Sequence, residues 1–206
     1  MNMKKIAVVC LIALLAGCAG PVYVARNEAE GLKTGYQDPQ LVALSQKYQG
    51  LLKEIYARCQ RNQMSVAKEG LGFTTLTDSS GKKLHYLLVQ MRPEEVNFDK
   101  NTTTGEQRLQ LIVQRYSDPN IKLITKQDVA PNDIDGVAFG VTWAVRDFYQ
   151  CDKYGGFVEY FIAYITKSDL NAIVDGAKPV RGVLGNSEVI SSLDLEPAKA
   201  IRLRFQ

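Results

Sequence analysis

The fold is predicted most directly by Val137-Ala-Phe-Gly-Val-Thr-Trp-Ala-Val-Arg-Asp-Phe148, in which large apolar residues alternate with small ones. A period of two predicts a β-strand, because successive side chains point to opposite faces of a sheet. We expect the large residues to form a buried face: Val137, Phe139, Val141, Trp143 and Val145. The opposite face is flat enough for a helix to pack closely on it, since it consists of Ala138, Gly140, Thr142 and Ala144.

Other segments also have strand character. Phe157–Thr166 is apolar on both faces, which predicts a central position in the sheet. Leu71–Thr77 and Lys83–Arg92 flank a cluster of turn residues, so we expect them to form a hairpin. At the C-terminus, residues 200–206 alternate apolar and polar side chains and predict a half-exposed strand.

Helical spacing begins after Asp38-Pro39, an N-cap acid followed by a proline suited to the first turn. Apolar residues then recur at helical intervals, which predicts one long helix from 39 to about 66. Shorter helices are expected over 104–116, where alternation also fits a strand but capping residues favour a helix, and over 168–176. The predicted fold class is α+β: a single antiparallel sheet with a long N-terminal helix and one or two further helices packed on one face.

Length and composition are those of one globular domain. The 206 residues are 46% hydrophobic and 23% charged, which excludes a wholly disordered chain or a disulfide-dense miniprotein. His85 is the single histidine, and this excludes metal sites built from several histidines. Glycine-rich phosphate loops and the Gly-x-Ser-x-Gly nucleophile motif are absent from the sequence. We therefore predict no cofactor, no metal and no catalytic residues.

The N-terminus has the pattern of an export signal. Lys4 and Lys5 precede an eleven-residue apolar run, Ile6–Ala16, which is too short to span a bilayer core of about 30 Å. The following Leu15-Ala-Gly-Cys18 resembles the lipobox of bacterial lipoproteins. An ordinary signal peptide and a buried N-terminal helix with an incidental cysteine are the alternatives.

The resemblance implies cleavage before Cys18 and attachment of palmitate-type acyl chains to that residue. Because Ala19 is not aspartate, it also implies an outer-membrane location facing the periplasm. The predicted organisation is a signal peptide at 1–17, a lipidated cysteine and tether at 18–37, and a single globular domain at 38–206. Loss of Lys4 and Lys5 lowers the net charge from +3 to +1, so no nucleic-acid partner is expected.

Two cysteines remain in the predicted mature domain once Cys18 is assigned to lipid. An exported protein occupies an oxidising compartment, so Cys59 and Cys151 are candidates for a disulfide that would close a long loop. The alternative is two separate thiols, with Cys59 packing as a small apolar residue on its helix.

Acids and tyrosines near the 137–166 hairpin are the remaining functional candidates. Asp147, Asp152 and Glu159 could supply a carboxylate pair for a hydrolase, although solvated loop acids are the simpler explanation. Tyr149 and Tyr154 form a tentative binding surface, since tyrosine is enriched at interfaces. The Asp133-Ile-Asp135-Gly136 segment is interpreted as a turn, because it lacks the later ligands of a calcium loop.

These observations predict a lipid-anchored envelope protein that is a non-catalytic binding or assembly module. Its expected partners are the membrane, through the acyl chains, and another envelope protein. The alternative is an envelope hydrolase that uses a carboxylate pair near the hairpin ends.

Overall fold

A computed structural model describes residues 27–94, 96–147 and 156–205. In these ranges one seven-stranded sheet runs in the spatial order β1-β2-β4-β5-β6-β7, and β3 pairs with β4 beyond the end of β2. The strands are β1 (Val66–Thr77), β2 (Lys83–Met91), β3 (Asn97–Asp99), β4 (Gly136–Arg146), β5 (Phe157–Thr166), β6 (Glu188–Ser192) and β7 (Lys199–Ile201).

The helices lie before β1, between β3 and β4, and between β5 and β6. They are α1 (Glu28–Gly31), α2 (Pro39–Lys47), α3 (Gln49–Arg61), α4 (Gly105–Ile112), α5 (Asp118–Ile121), α6 (Lys167–Val174) and α7 (Val180–Asn186). A π-helical turn, Val113–Ser117, continues α4, and a 3₁₀ turn spans Lys126–Val129.

The sheet is mixed, so the prediction of a purely antiparallel sheet was wrong. Four strand pairs are antiparallel, whereas β4 is parallel to both β2 and β3. The physical reason is the long connection from Met91 to Gly136, which carries α4 and α5. A connection that crosses over a sheet returns in the same direction, whereas a tight hairpin reverses the strand.

The predicted long N-terminal helix is also wrong, because it is two helices. Tyr48 separates α2 from α3 with φ −109° and ψ 23°, and its hydroxyl donates to Asp133 Oδ1 at 2.6 Å. The helix then ends at Arg61, before Gln63 with φ 55°, and β1 starts at Val66. On either side of the break, both helices pack against β1.

Residues that precede the predicted boundary at position 38 contact the sheet and the helices. The amide of Lys33 donates to the carbonyl of Leu71 at 2.8 Å, so this segment lies along the outer edge of β1. Gly31 packs against the ring of Tyr56 so closely that a Cβ would stand 2.4 Å from Cε2. Residues predicted to be tether therefore protect a sheet edge that would otherwise be exposed.

The helices cover one face of the sheet. The predicted buried face of β4 is confirmed: Val137, Phe139, Val141, Trp143 and Val145 are fully buried in the main core with residues of α2, α3, α4, α6 and α7. The second, smaller cluster on the opposite face contains strand residues only: Tyr86, Leu88, Ala138 and Tyr164. The prediction that β5 is central is confirmed as well, since it lies between β4 and β6.

Candidate functional site

Several residues predicted to be functional lie outside the described residues. These are Cys18, the lipidation site; Tyr149 and Tyr154, the tentative binding surface; and Cys151 and Asp152. Their predicted roles stay predictions.

Cys59 is the half of the predicted disulfide that the structure describes. It lies in the core with only 2% of its surface exposed, and no described residue forms a disulfide with it. Burial raises its pKa to about 11, which disfavours the thiolate that a nucleophilic role would need. Because Cys151 lies outside the described ranges, the pairing stays a prediction.

A mass measurement tests the disulfide. If Cys59 and Cys151 are bridged in the exported protein, the non-reduced mature domain is expected to be lighter by two hydrogen masses than the reduced one. Intact-mass spectrometry with and without reductant measures the difference. Equal masses, together with alkylation of both thiols under denaturing conditions without reductant, would contradict the bridge.

Of the three acids proposed for a hydrolase, Asp147 and Glu159 lie within the described residues and do not form an open carboxylate pair with each other. Asp147 accepts from Lys100 Nζ at 3.0 Å and from Asn101 Nδ2 at 2.9 Å. Glu159 is fully buried, so water and substrate cannot reach its carboxylate. With Asp152 outside the described residues, the structure gives this alternative no support.

The Asp133–Asp135 segment is a turn held by side chains, as interpreted from the sequence. Asp133 accepts from Lys47 Nζ at 2.7 Å as well as from Tyr48, and these bonds hold the pKa of Asp133 below its usual value. Asp135 Oδ2 accepts from the His85 amide at 2.7 Å. Within the described ranges, no group of three or more His, Cys, Asp and Glu side chains is arranged to hold a metal ion.

Glu159 belongs to a buried polar network next to the turn that follows β6. Arg108 Nε and Nη2 donate to its two carboxylate oxygens at 2.8 and 2.7 Å. Trp143, directly opposite Glu159 on β4, donates through Nε1 at 2.8 Å, and the Asp194 amide donates at 2.8 Å. The carboxylate therefore accepts four hydrogen bonds in the core, which offset the cost of removing its charge from water.

Arg108 extends this network to the surface. Its Nη2 also donates to Asp194 Oδ1 at 2.5 Å, and its Nη1 donates to the Thr103 carbonyl. The hydrogen bonds to Glu159 and Asp194 raise the pKa of Arg108, so the guanidinium stays charged. Asp194 Oδ2 accepts from the Gly105 amide at 3.1 Å, at the N-terminus of α4. The network thus ties α4, β5 and the turn after β6 into one unit.

The turn after β6 has an unusual backbone. Asp194 and Leu195 have φ of 51° and 64°, a left-handed conformation that non-glycine residues seldom adopt. Such conformations cost about 1–3 kcal/mol each and persist where surrounding contacts over-determine them. Here the bonds of Asp194 to Arg108, Glu159 and Gly105 do so, and they leave Leu195 74% exposed.

A surface groove of about 850 Å³ lies beside the network, which contributes Asp194 to its lining. One wall is α4 with the start of the π-helical turn, and the other is β7 with the C-terminal residues that follow it. Apolar and charged side chains both line it: Glu106, Leu109, Val113, Leu193, Asp194, Glu196, Lys199, Ile201, Arg202, Leu203, Arg204 and Phe205.

The β7 wall of this groove is an edge strand. It pairs with β6 on one side, and no strand pairs with its other side in the described part of the chain. Lys199 and Ala200 are exposed, and residues 202–205 continue past Ile201 with only Leu203 buried. A second groove, of about 560 Å³, runs behind Ala200–Arg202. The outer backbone of β7 is therefore open to an incoming chain.

The sequence interpretation missed this site, although two signals pointed to it. Arg108 lies one turn before Ile112 on a helix whose apolar side is buried, and Glu159 lies on the buried face of β5. Two opposite charges on apolar faces indicate a buried ion pair. The groove itself had no such signal, because it depends on β6, which was not predicted, and on the short length of β7.

Comparisons with protein-family models, curated proteins and solved structures found no match to this chain. Among the described residues, none of the helices is long and apolar enough to cross a bilayer.

Proposed function

We propose that this protein is a lipid-anchored envelope lipoprotein, facing the periplasm, that acts as a non-catalytic binding module. Its groove binds an extended segment of another envelope protein, which adds to the sheet as a strand beside β7. The single observation that carries this proposal is the unpaired edge of β7 lining a groove of about 850 Å³.

Strand addition suits the construction of the groove. An extended chain beside β7 would pair its backbone with the free edge, which supplies affinity without regard to sequence. Its alternate side chains would face apolar positions contributed by Leu109 and Val113 on one wall and by Leu203 on the other. The hydrogen bonds of Asp194 to Gly105 and Arg108 tie α4 to the turn after β6 before the segment arrives, which lowers the entropy cost of binding.

Charge favours a segment that carries acidic residues. Three acids line the groove: Asp194 pairs with Arg108, Glu196 pairs with Lys199, and Glu106 lies on the α4 wall. Arg202 and Arg204 are exposed on the β7 wall and form no ion pair within the described residues. The positive charge therefore lies beside the strand that would be extended, where it complements an acidic segment.

Defined peptides test this proposal. We expect a labelled peptide of about eight residues alternating valine and glutamate to bind about tenfold more tightly than its valine–lysine counterpart. The double variant Arg202→Glu/Arg204→Glu is expected to reverse this preference, whereas Arg61→Glu, which changes an exposed arginine at the end of α3, leaves it unchanged. Fluorescence anisotropy measures both affinities.

N-methylated peptides separate strand addition from simple charge attraction. Methylation of every second amide blocks the donors along one edge of the peptide and keeps all its side chains. Methylation at odd positions and methylation at even positions give two peptides. One of them should lose binding and the other should retain it, because only one edge of the peptide faces β7. Equal binding of both methylated peptides, or no binding of either unmethylated peptide, would contradict the proposal.

A further inference from the structure

Residues 27–37, which we call the strap, are attached to the outer edge of β1. The Lys33 amide donates to the Leu71 carbonyl at 2.8 Å, and the Phe73 amide donates to the Tyr36 hydroxyl at 3.0 Å. Two backbone groups on the edge of β1 are therefore already bonded, one by the main chain of the strap and one by a side chain. This part of the edge is closed to another strand.

Two glycines make room for the strap. A Cβ at Gly72 of β1 would overlap the Tyr36 hydroxyl and lie 2.7 Å from Lys33 Cβ, so a larger residue there would push the strap away. Within the strap, Gly31 packs against the ring of Tyr56 with the same lack of space. The sequence of both the strand and the strap is therefore suited to this contact.

The strap shortens the tether between the proposed lipid and the body. Asn27 follows Cys18 by nine positions, and a chain of this length reaches at most about 32 Å when fully extended. Without the strap contacts, the tether would continue to Asp38 and could reach about 70 Å. The anchored chain thus enters the body at the β1 edge with less than half of that reach.

β7 lies at the opposite edge of the sheet from the strap. Five strand spacings separate β1 from β7 in the order of the sheet, which corresponds to a width of about 24 Å. One edge is joined to the tether and closed by the strap, whereas the other edge is open and lines the groove.

We propose that the strap holds the β1 edge towards the membrane and presents the β7 groove on the side of the body that faces away from it. The groove then receives an acidic extended segment from a protein in the periplasm, beyond the reach of the lipid surface. This inference rests on the proposed function, because it uses both the lipid anchor and the β7 groove.

Charge explains why the distance from the membrane matters. Anionic lipids attract arginine side chains within about one Debye length, 8 to 10 Å at physiological ionic strength, and they repel acidic peptides over the same range. Close to such a surface, Arg202 and Arg204 would bind lipid head groups in place of the segment. On the far side of a sheet about 24 Å wide, both side chains stay available to the acidic partner.

Energy transfer to dye-labelled lipid head groups tests this orientation. The acylated protein is reconstituted in liposomes with a donor dye on Lys68→Cys, at the β1 edge, or on Ala200→Cys, on β7, both of which are exposed positions. Cys151→Ser removes a competing thiol, and Cys59 is buried. We expect transfer from the β1 label to be at least about twofold more efficient, because a sheet width of about 24 Å separates the two labels.

Variants of the strap contact show whether the strap sets the orientation. Gly72→Val is expected to displace the strap, lengthen the tether and remove the difference between the two labels. Gly50→Val is the matched control, since it adds the same side chain at a glycine with open space around it. Tyr36→Ala, which leaves β1 unchanged, replaces Gly72→Val if that variant does not fold. Emission from Trp143 and thermal unfolding show whether each variant is folded.

The outcomes separate the orientation from the proposed function. Equal transfer from both labels in the acylated wild type, or an unchanged difference in folded Gly72→Val and Tyr36→Ala, would overturn the orientation and leave the groove unaffected. Protein that carries no acyl chain and shows no transfer from either label would overturn the lipoprotein assignment and the orientation with it. A persistent difference between the labels without binding of the valine–glutamate peptide would contradict the binding role and support the orientation.

Discussion

Glu159→Gln is expected to lower the free energy of unfolding by about 3–5 kcal/mol, because it removes the buried counter-charge of Arg108 and leaves the guanidinium paired with the exposed Asp194. Arg108→Met should lower the free energy of unfolding by a similar amount, since it leaves the Glu159 carboxylate buried without the guanidinium. For a domain of this size the loss corresponds to a fall in Tm on the order of 10 °C. Urea unfolding followed by fluorescence measures it directly, because Trp143 is the single tryptophan and bonds to Glu159.

The double variant Arg108→Met/Glu159→Leu separates pairing from packing. Replacing both charges with apolar groups removes the desolvation penalty. The free energy of unfolding lost by the double variant should therefore be well below the sum of the losses of the two single variants. Lys178→Met is the control: it breaks the exposed pair with Asp169 and should cost at most about 1 kcal/mol. A loss below about 1 kcal/mol for Glu159→Gln would show that the carboxylate is not the buried ion described here.

Cys18→Ala is expected to abolish acylation and to release the protein from the membrane fraction or leave it unprocessed. The reason is that one acyl chain binds a bilayer only marginally, whereas two or more hold a protein durably. Metabolic labelling with an alkyne fatty acid, followed by carbonate extraction of membranes, measures both effects. Cys10→Ala is the matched control, because it removes a cysteine from the apolar run and leaves the lipobox intact. Normal labelling of Cys18→Ala would rule out the lipoprotein assignment.

The buried network connects stability with the proposed binding function. Arg108 reaches both Glu159 in the core and Asp194 in the left-handed turn, so it positions α4 against the strands that lead to β7. We therefore expect variants of this network to widen the groove and weaken peptide binding even at temperatures where the protein stays folded. Variants of Arg202 and Arg204 should act on binding alone, because these side chains are exposed.

The local sequence pattern was sufficient to predict the structure where apolar residues recur at regular intervals along a strand. The alternation in 137–148 correctly identified which side chains of β4 belong to the main core, and the apolar sequence of 157–166 correctly placed β5 inside the sheet. The same logic failed at Tyr48, where the pattern continues but a hydrogen bond to Asp133, 85 residues away, holds the side chain at a helix break. It failed again for β2 and β4, because periodicity does not encode strand direction.

The sequence by itself determined the strand pattern of β4, the division into apolar and polar faces, and the expectation of a lipid anchor, since each depends on neighbouring residues. Only the tertiary structure decided that the sheet is mixed, that Arg108 meets Glu159 across 51 positions, and that β7 ends the sheet with a free edge. These features arise from contacts between distant segments, whose pairing is set by the packing of the whole core. The proposed groove belongs to this second class.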